Sequence, residues 1–175
     1  MAKIWKELHV SESSDFALPN LRTLKLRQTF VTDVSVATFL ILCPNLRRLD
    51  LAFTGVQHPA PLLTKVDLEK LSLTSTKITS TNLLKILAGM ENLQTLALGA
   101  LGRGGGSAVS VSNTTAMTMT DDTLRKLTNV LAQLSHLEHI NLAGNTKLGT
   151  VSRHSLREFV STVGRNCRVR TLAQF

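Results

Sequence analysis

Leucines recur along the chain in a three-then-two rhythm. Leu21, Leu24 and Leu26 are followed by Leu46, Leu49 and Leu51, by Leu68, Leu71 and Leu73, by Leu93, Leu96 and Leu98, and by Leu137, Ile140 and Leu142. Val169, Leu172 and Gln174 read as a degenerate sixth copy. The first members lie 25, 22, 25, 44 and 32 residues apart, so three intervals sit in or beside the range of a short repeat, roughly 20–29 residues, and two carry insertions. The last two members of each triplet are two apart, the spacing a short strand needs to point both to one side. One copy alone would leave that side wet, and stacking copies in parallel buries it.

The stretches between triplets carry their own signals. Three residues after the last leucine stand Thr29, Thr54, Thr76 and Asn145, whose side chains can bond backbone groups at a turn. Val31, Val56 and Ile78 follow two later and are expected to plug the core; the fifth copy has Lys147 there and Leu148 next, which predicts a bulge. Thr32, Thr79, Thr120 and Ser152 are candidate helix N-caps. Behind them the apolar residues Val36-Phe39-Leu40, Leu83-Leu84-Leu87, Leu124-Leu127-Leu131 and Leu156-Phe159-Val160-Val163 have helical spacing. The second copy puts Pro59 and Pro61 where a helix would run, so a turn and a short helical piece are predicted.

These triplets and turn positions resemble the leucine-rich-repeat family from Leu18 to the C-terminus. The resemblance implies an α/β leucine-rich-repeat solenoid, with a curved parallel sheet on the concave side and helices on the convex side. The long helical backs and the phrases Cys43-Pro44-Asn45-Leu46 and Val31-Thr32-Asp33 look most like the cysteine-containing repeats found behind an F-box in ubiquitin-ligase substrate receptors, with a ribonuclease-inhibitor-like fold. No F-box-like helical segment precedes the array. The chain is therefore expected to be either the substrate-recognition fragment of such a receptor or a free-standing repeat protein. Residues 1–17, with Trp5, Leu8 and Val10 on strand spacing, fit equally the tail of a longer array and an N-terminal cap. Residues 168–175 are the degenerate last repeat.

Composition narrows the function. A 43% hydrophobic, 18% charged chain of 175 residues is read as one folded domain over residues 1–175 rather than a disordered one. Aromatics are 4% with no Tyr, which weakens base-stacking and carbohydrate-platform roles. The longest apolar runs, such as Ala37 to Cys43, are too short to span a bilayer, and Lys3, Lys6 and Glu7 interrupt any signal-like start. A soluble protein of the cytoplasm or nucleus, with no membrane partner, is the expectation. In that setting Asn113-Thr114-Thr115 is a chance match to a glycosylation pattern.

No catalytic constellation, metal site or cofactor site emerges. Cys43 and Cys167 are too few for a disulfide framework or a closed zinc site, have no His beside them, and read as buried thiols just before repeat starts. His136-Leu137-Glu138-His139 straddles a core leucine, so its two imidazoles need not converge. Gly102-Arg103-Gly104-Gly105-Gly106-Ser107 lacks the lysine and following helix of a phosphate-binding loop. The surrounding stretch from Gly99 to Thr118 reads as a flexible Gly/Ser/Thr-rich insertion.

The net charge is +8, with an excess of four positive charges in each half, and favours an acidic partner. Strand alternation sends the residues between the leucines to the concave face. One column reads Thr23, Arg48, Lys70, Thr95, His139 and Thr171; the next reads Lys25, Asp50, Ser72, Ala97, Asn141 and Ala173; Arg27 leads the third. Lys25, Arg27, Arg48 and Lys70 cluster on the first three strands, with Asp50 as the single acid. The candidate protein-binding face is Lys25, Arg27, Arg48, Asp50, Lys70, Ser72, His139 and Asn141, receiving a protein or an acidic or phosphorylated peptide. The same residues are equally accounted for as solubilising charge. A secondary basic patch comprises Arg153, Arg157, Arg165, Arg168 and Arg170. A noncatalytic interaction module is thus the leading expectation. A free-standing scaffold or a GTPase-activating-type regulator is the alternative; the latter family has longer, regular units and an acidic tail. Nucleic-acid binding through the basic patches ranks third.

Overall fold

The computed structural model describes residues 17–58, 60, 62–65, 67–100, 119–145, 148, 150–165 and 167–170. The triplets become six parallel strands: β1 (Thr23–Lys25), β2 (Arg48–Asp50), β3 (Lys70–Ser72), β4 (Thr95–Ala97), β5 (His139–Asn141) and β6 (Arg168–Arg170). They lie in one sheet in chain order. The connections carry the helices α1 (Asp33–Leu42), α2 (Ser80–Leu87), α3 (Asp121–Leu131) and α4 (Arg153–Val163). In the second repeat, the proline-containing one, a single 3-10 turn at Leu62–Thr64 replaces the helix. Leucines of the strands and the inward residues of the helices share one continuous core. The architecture is an α/β leucine-rich-repeat solenoid.

Each strand is short, and its leucine is aligned with the next: Leu24, Leu49, Leu71, Leu96, Ile140 and Val169 are successive register partners. This corrects the alignment of the last copy. Val169 pairs with Ile140, the middle member of its triplet, so the copy begins three residues earlier than the Val169-Leu172-Gln174 assignment. Arg168 and Arg170, rather than Thr171 and Ala173, are the register partners of His139 and Asn141. The apolar spacing alone admits both alignments; pairing with β5 selects one. The N-terminal partial repeat, most of the Gly99–Thr118 insertion and the last five residues lie outside the described residues.

The chain leaves the sheet by the same turn in five repeats. Gln28, Phe53, Ser75, Ala100 and Gly144, each four residues past the middle apolar residue, have φ of 58°, 59°, 56°, 45° and 78°. Four of them carry a Cβ in a left-handed conformation that costs such residues on the order of 1–2 kcal/mol. Hydrogen bonds to the next repeat hold the bend, because the N–H groups of Gln28, Phe53, Ser75 and Ala100 donate to Ala52, Thr74, Gly99 and Ala143 carbonyls at 2.8–2.9 Å. Thr29, Thr54 and Thr76 donate their hydroxyls back to the Leu26, Leu51 and Leu73 carbonyls at 2.5, 2.7 and 2.8 Å. Asn145 donates to both Leu98 and Leu142 at 2.8 Å. Val56 and Ile78 then enter the core, as does Leu148 in the fifth repeat.

All four predicted caps form: Thr32, Thr79, Thr120 and Ser152 accept from the backbone N–H three residues on. Val36 and Leu40, Leu83 and Leu87, and Leu124, Leu127 and Leu131 are buried as their spacing indicates. In α4 the inward face is Ser155, Phe159 and Val163. Val160, expected on that face, is 54% exposed, since one step past Phe159 turns it about 100° away from the core.

Candidate binding site

The face of the sheet opposite the core carries the candidate residues, because β2 to β5 bury their central apolar residue and strand alternation turns out the two beside it. Across β1 to β4 these outward pairs line an open depression of about 370 Å³. Register puts Arg48 directly beside Lys70, and Lys25 directly beside Asp50. The ammonium groups of Lys25 and Lys70 have no hydrogen-bond or ion-pair partner among the described residues. Arg48 Nε stands 4.0 Å from Glu69 Oε2 with both groups partly in water, a weak pairing. Asp50 lines the same hollow and bonds its own strand end: its Oδ1 accepts from the Ala52 N–H at 2.9 Å. Asn141 makes the equivalent bond to the Ala143 N–H at 2.9 Å, so both residues belong to the turn that ends the strand. The hollow thus carries three cations against one carboxylate, with Ser72 and Thr23 as neutral polar neighbours. That arrangement suits carboxylate or phosphate groups on an extended ligand.

The other sequence-predicted residues lie apart from this cluster. Arg27 does not line the hollow; its guanidinium carbon sits 4.8 Å above the centre of the Phe53 ring at the rim of the sheet. His139 and Asn141 are on β5, with β4 between them and the lysine of β3, roughly 10 Å away. His139 Nδ1 is 3.9 Å from Glu138 Oε2. The secondary basic group divides. Arg153 and Arg157 are exposed on α4, Arg165 lies beyond that helix's far end, roughly 18 Å from Arg153, and Arg168 and Arg170 belong to β6. Sequence proximity grouped residues that the fold distributes between a helix and the sheet.

The two cysteine thiols are both held in their neutral form. Burial pushes the Cys43 thiol up, with Lys65 opposing, and burial alone pushes the Cys167 thiol up, which favours the unreactive neutral form. Cys43 is fully buried, and its carbonyl accepts from Lys65 Nζ at 3.0 Å. Among the described residues no group of three His, Cys, Asp or Glu side chains could hold a metal ion, and no helix is long and apolar enough to cross a membrane.

Two features escaped the sequence reading. Asp33 and Asp121, each the first residue of its helix, join their repeat to the next. Asp33 Oδ1 accepts from the Gln57 and His58 N–H groups at 2.9 and 3.1 Å, and its Oδ2 meets His58 Nδ1 at 2.9 Å. Asp121 Oδ1 accepts from the Ser152 N–H at 2.8 Å. A second hollow, about 550 Å³, opens at the rim between the turns of the first three repeats, with Phe30, Phe53, Gly55 and Lys77 among its walls. The signal for it was available: Phe30 and Phe53 are two of only six phenylalanines, and neither occupies a core position of the repeat.

No protein-family model and no curated protein matches the chain. Among solved structures, it is similar to the crystal structure of an internalin C2 from Listeria monocytogenes, with 17% identity and a TM-score of 0.42 over 86% of this chain and 74% of that one. It is also similar to the crystal structure of a second Listeria monocytogenes internalin (inlF), with 16% identity and a TM-score of 0.40 over 87% of this chain. The chain spans about half the length of that second structure, 47%.

Proposed function

We propose that the chain is a noncatalytic protein-recognition module that receives an acidic or phosphorylated peptide on the outer face of its sheet. The observation that carries this is the hollow across β1 to β4, ringed by Lys25, Arg48 and Lys70 while its single acid, Asp50, is engaged by its own backbone. The ammonium groups of Lys25 and Lys70 hold no internal partner that a ligand would have to displace. Ser72 adds a hydroxyl in the same hollow, and His139 and Asn141 extend the face toward β5.

The test is an array of acidic, phosphorylated and basic peptides probed with the wild-type chain and with a variant carrying Lys25→Glu, Arg48→Glu and Lys70→Glu. Acidic and phosphorylated peptides should bind the wild type and lose at least tenfold in the variant, with melting temperature unchanged. Equal binding by both proteins rejects the site. Binding that falls steeply with salt and is competed by DNA or RNA would favour the nucleic-acid reading instead.

Within this reading, a place in the substrate-recognition part of an F-box-type ubiquitin-ligase receptor, in the cytoplasm or nucleus, is supported by Cys43. It is buried at the turn before a repeat start, within the Cys43-Pro44-Asn45-Leu46 phrase that carries the likeness to those repeats. Co-purification of the full-length natural product with ligase adaptor and cullin subunits tests it; a free-standing scaffold would bring down its partner without them.

A further inference from the structure

We infer that the rim hollow between the first three repeats is a second, separate peptide site, taking an extended segment of a partner protein that carries an apolar anchor beside Asp or Glu.

Three successive turns build it. Phe30, Gly55 and Lys77 occupy the same repeat position, each one residue before the core plugs Val31, Val56 and Ile78. Phe30 is fully exposed, at 105% of its reference area, and Lys77 is exposed, its ammonium group without a partner among the described residues. Gly55 stands between them with no side chain. A Cβ there would meet nothing within 4 Å, and its φ lies outside the left-handed region. The chain has no conformational need for glycine at this position, and its effect is to leave a gap one side chain wide. Phe30 and Lys77 are two repeats apart, roughly 10 Å, which accommodates an inserted side chain.

Phe53 forms another wall of this gap. It holds φ at 59°, where its counterparts are Gln28, Ser75, Ala100 and Gly144. The left-handed turn is shared by five repeats; what is particular to this one is the bulky aromatic it carries, an uncommon residue at positive φ. Phe53 is half-buried, and Arg27 covers its ring from the sheet side.

The charges select the occupant. The one acid lining the hollow, Asp33, is saturated by the Gln57 and His58 backbone N–H groups and the His58 ring. Lys77 lines the hollow as its cation, and Arg27 stands beside it over the Phe53 ring. An anchor residue seated over Gly55 against Phe30 and Phe53 would therefore bring its neighbours to one or both cations. Aliphatic or aromatic anchors next to Asp or Glu fit, and basic segments are repelled. This site is distinct from the sheet face, since none of Phe30, Phe53, Gly55 and Lys77 lines the sheet hollow.

The experiment is selection of a random dodecapeptide phage library on the wild-type chain, followed by fluorescence anisotropy of enriched peptides against variants. Gly55→Phe fills the gap, Lys77→Glu reverses the selecting charge, and the triple glutamate variant at Lys25, Arg48 and Lys70 disables the sheet face. Enriched peptides should pair an apolar residue with Asp or Glu. They should lose at least tenfold in affinity on Gly55→Phe and on Lys77→Glu, and less than threefold on the triple variant. The melting temperatures of both rim variants should match the wild type. No enrichment, enriched peptides without that signature, or affinity that survives both rim variants overturns the inference. Peptides lost only on the triple variant would uphold the sheet-face reading and also overturn this one.

Discussion

The helices α1 and α3 follow one plan through their first turn and diverge on their outer faces. Thr32 and Thr120 cap them by accepting from the Ser35 and Thr123 N–H groups at 3.3 and 3.2 Å. Asp33 and Asp121 come next, and both reach the backbone of the following repeat. Outward, however, α3 shows Asp122, Arg125, Lys126 and Asn129, with Asp122 and Lys126 paired at 2.8 Å. The outer face of α1 shows Val34 and Ile41, 76% and 77% exposed. The repeat thus dictates the cap and the inward residues, which touch neighbouring repeats, and leaves the outward ones open. The apolar outer face of α1 cannot be a requirement of folding, since the same scaffold runs on charge in α3.

The first repeat also differs from the interior in its core. Leu24 is half-buried, whereas its register partners Leu49, Leu71, Leu96 and Ile140 are 3%, 1%, 0% and 1% exposed. Leu71→Ala should cost about 3 kcal/mol, and Leu24→Ala about half as much, because a partly wet leucine leaves less cavity behind. Urea denaturation of the two variants measures the ratio, and equal losses would mean that the first repeat is as enclosed as the third.

Glycines sharpen the same contrast at the turns. A Cβ on Gly99 would stand 2.6 Å from the Ala143 carbonyl oxygen, so Gly99→Ala forces the fourth and fifth repeats apart and should cost about 2 kcal/mol. Gly55→Ala in the second repeat should stay within about 0.5 kcal/mol. A neutral Gly99→Ala would show that the interior repeats slide more freely than their backbone ladder suggests.

Asp33 tests the joint between the first two repeats. Burial pulls its carboxyl upward, but the hydrogen bonds from His58 and from the Gln57 and His58 N–H groups outweigh it, and the net pKa lies below the usual carboxylate range. A depressed carboxylate stabilises the fold above the unfolded pKa, about 4, and loses that contribution as pH falls through its lower folded value. Asp33→Asn should therefore cost about 1 kcal/mol at pH 7 and make stability fall less than in the wild type between pH 5 and pH 2. Identical acid profiles would show that this carboxylate does not hold the joint. Asp121 is lowered in the same direction, chiefly by the Ser152 N–H, so the double variant should flatten the profile further.

The smallest effect is expected on the divergent face itself. Val34→Glu with Ile41→Lys should change stability by less than about 0.5 kcal/mol, while thermal melting that drops by many degrees would show this face to be covered in solution.

The repeat, its caps and its turn-locking hydroxyls were legible because each depends on local spacing: Thr32, Thr79, Thr120 and Ser152 sit directly before apolar-periodic segments. The displaced last repeat was not, since Val169 and Leu172 both fit an apolar strand position and only pairing with β5 distinguishes them. Lys25, Arg48 and Lys70 were legible as one cluster because outward columns follow from alternation. Arg27 and the Arg153-to-Arg170 group misled, because neighbours in sequence separate once the chain turns between sheet and helix. The rim hollow was missed because Phe30, Gly55 and Lys77 become neighbours only when three turns stack.

By itself, the order of residues determined the α/β leucine-rich-repeat architecture, the number of copies and which side of each strand is apolar, since strand alternation and helix periodicity are properties of the local chain. Tertiary structure alone decided the register of β6, the engagement of Asp50 and Asp33 by backbone N–H groups, and the hollow above Gly55. Those depend on which repeat lies against which, and on groups 20 or more residues apart arriving within hydrogen-bonding or van der Waals distance, which only the stacking of one repeat on the next brings about.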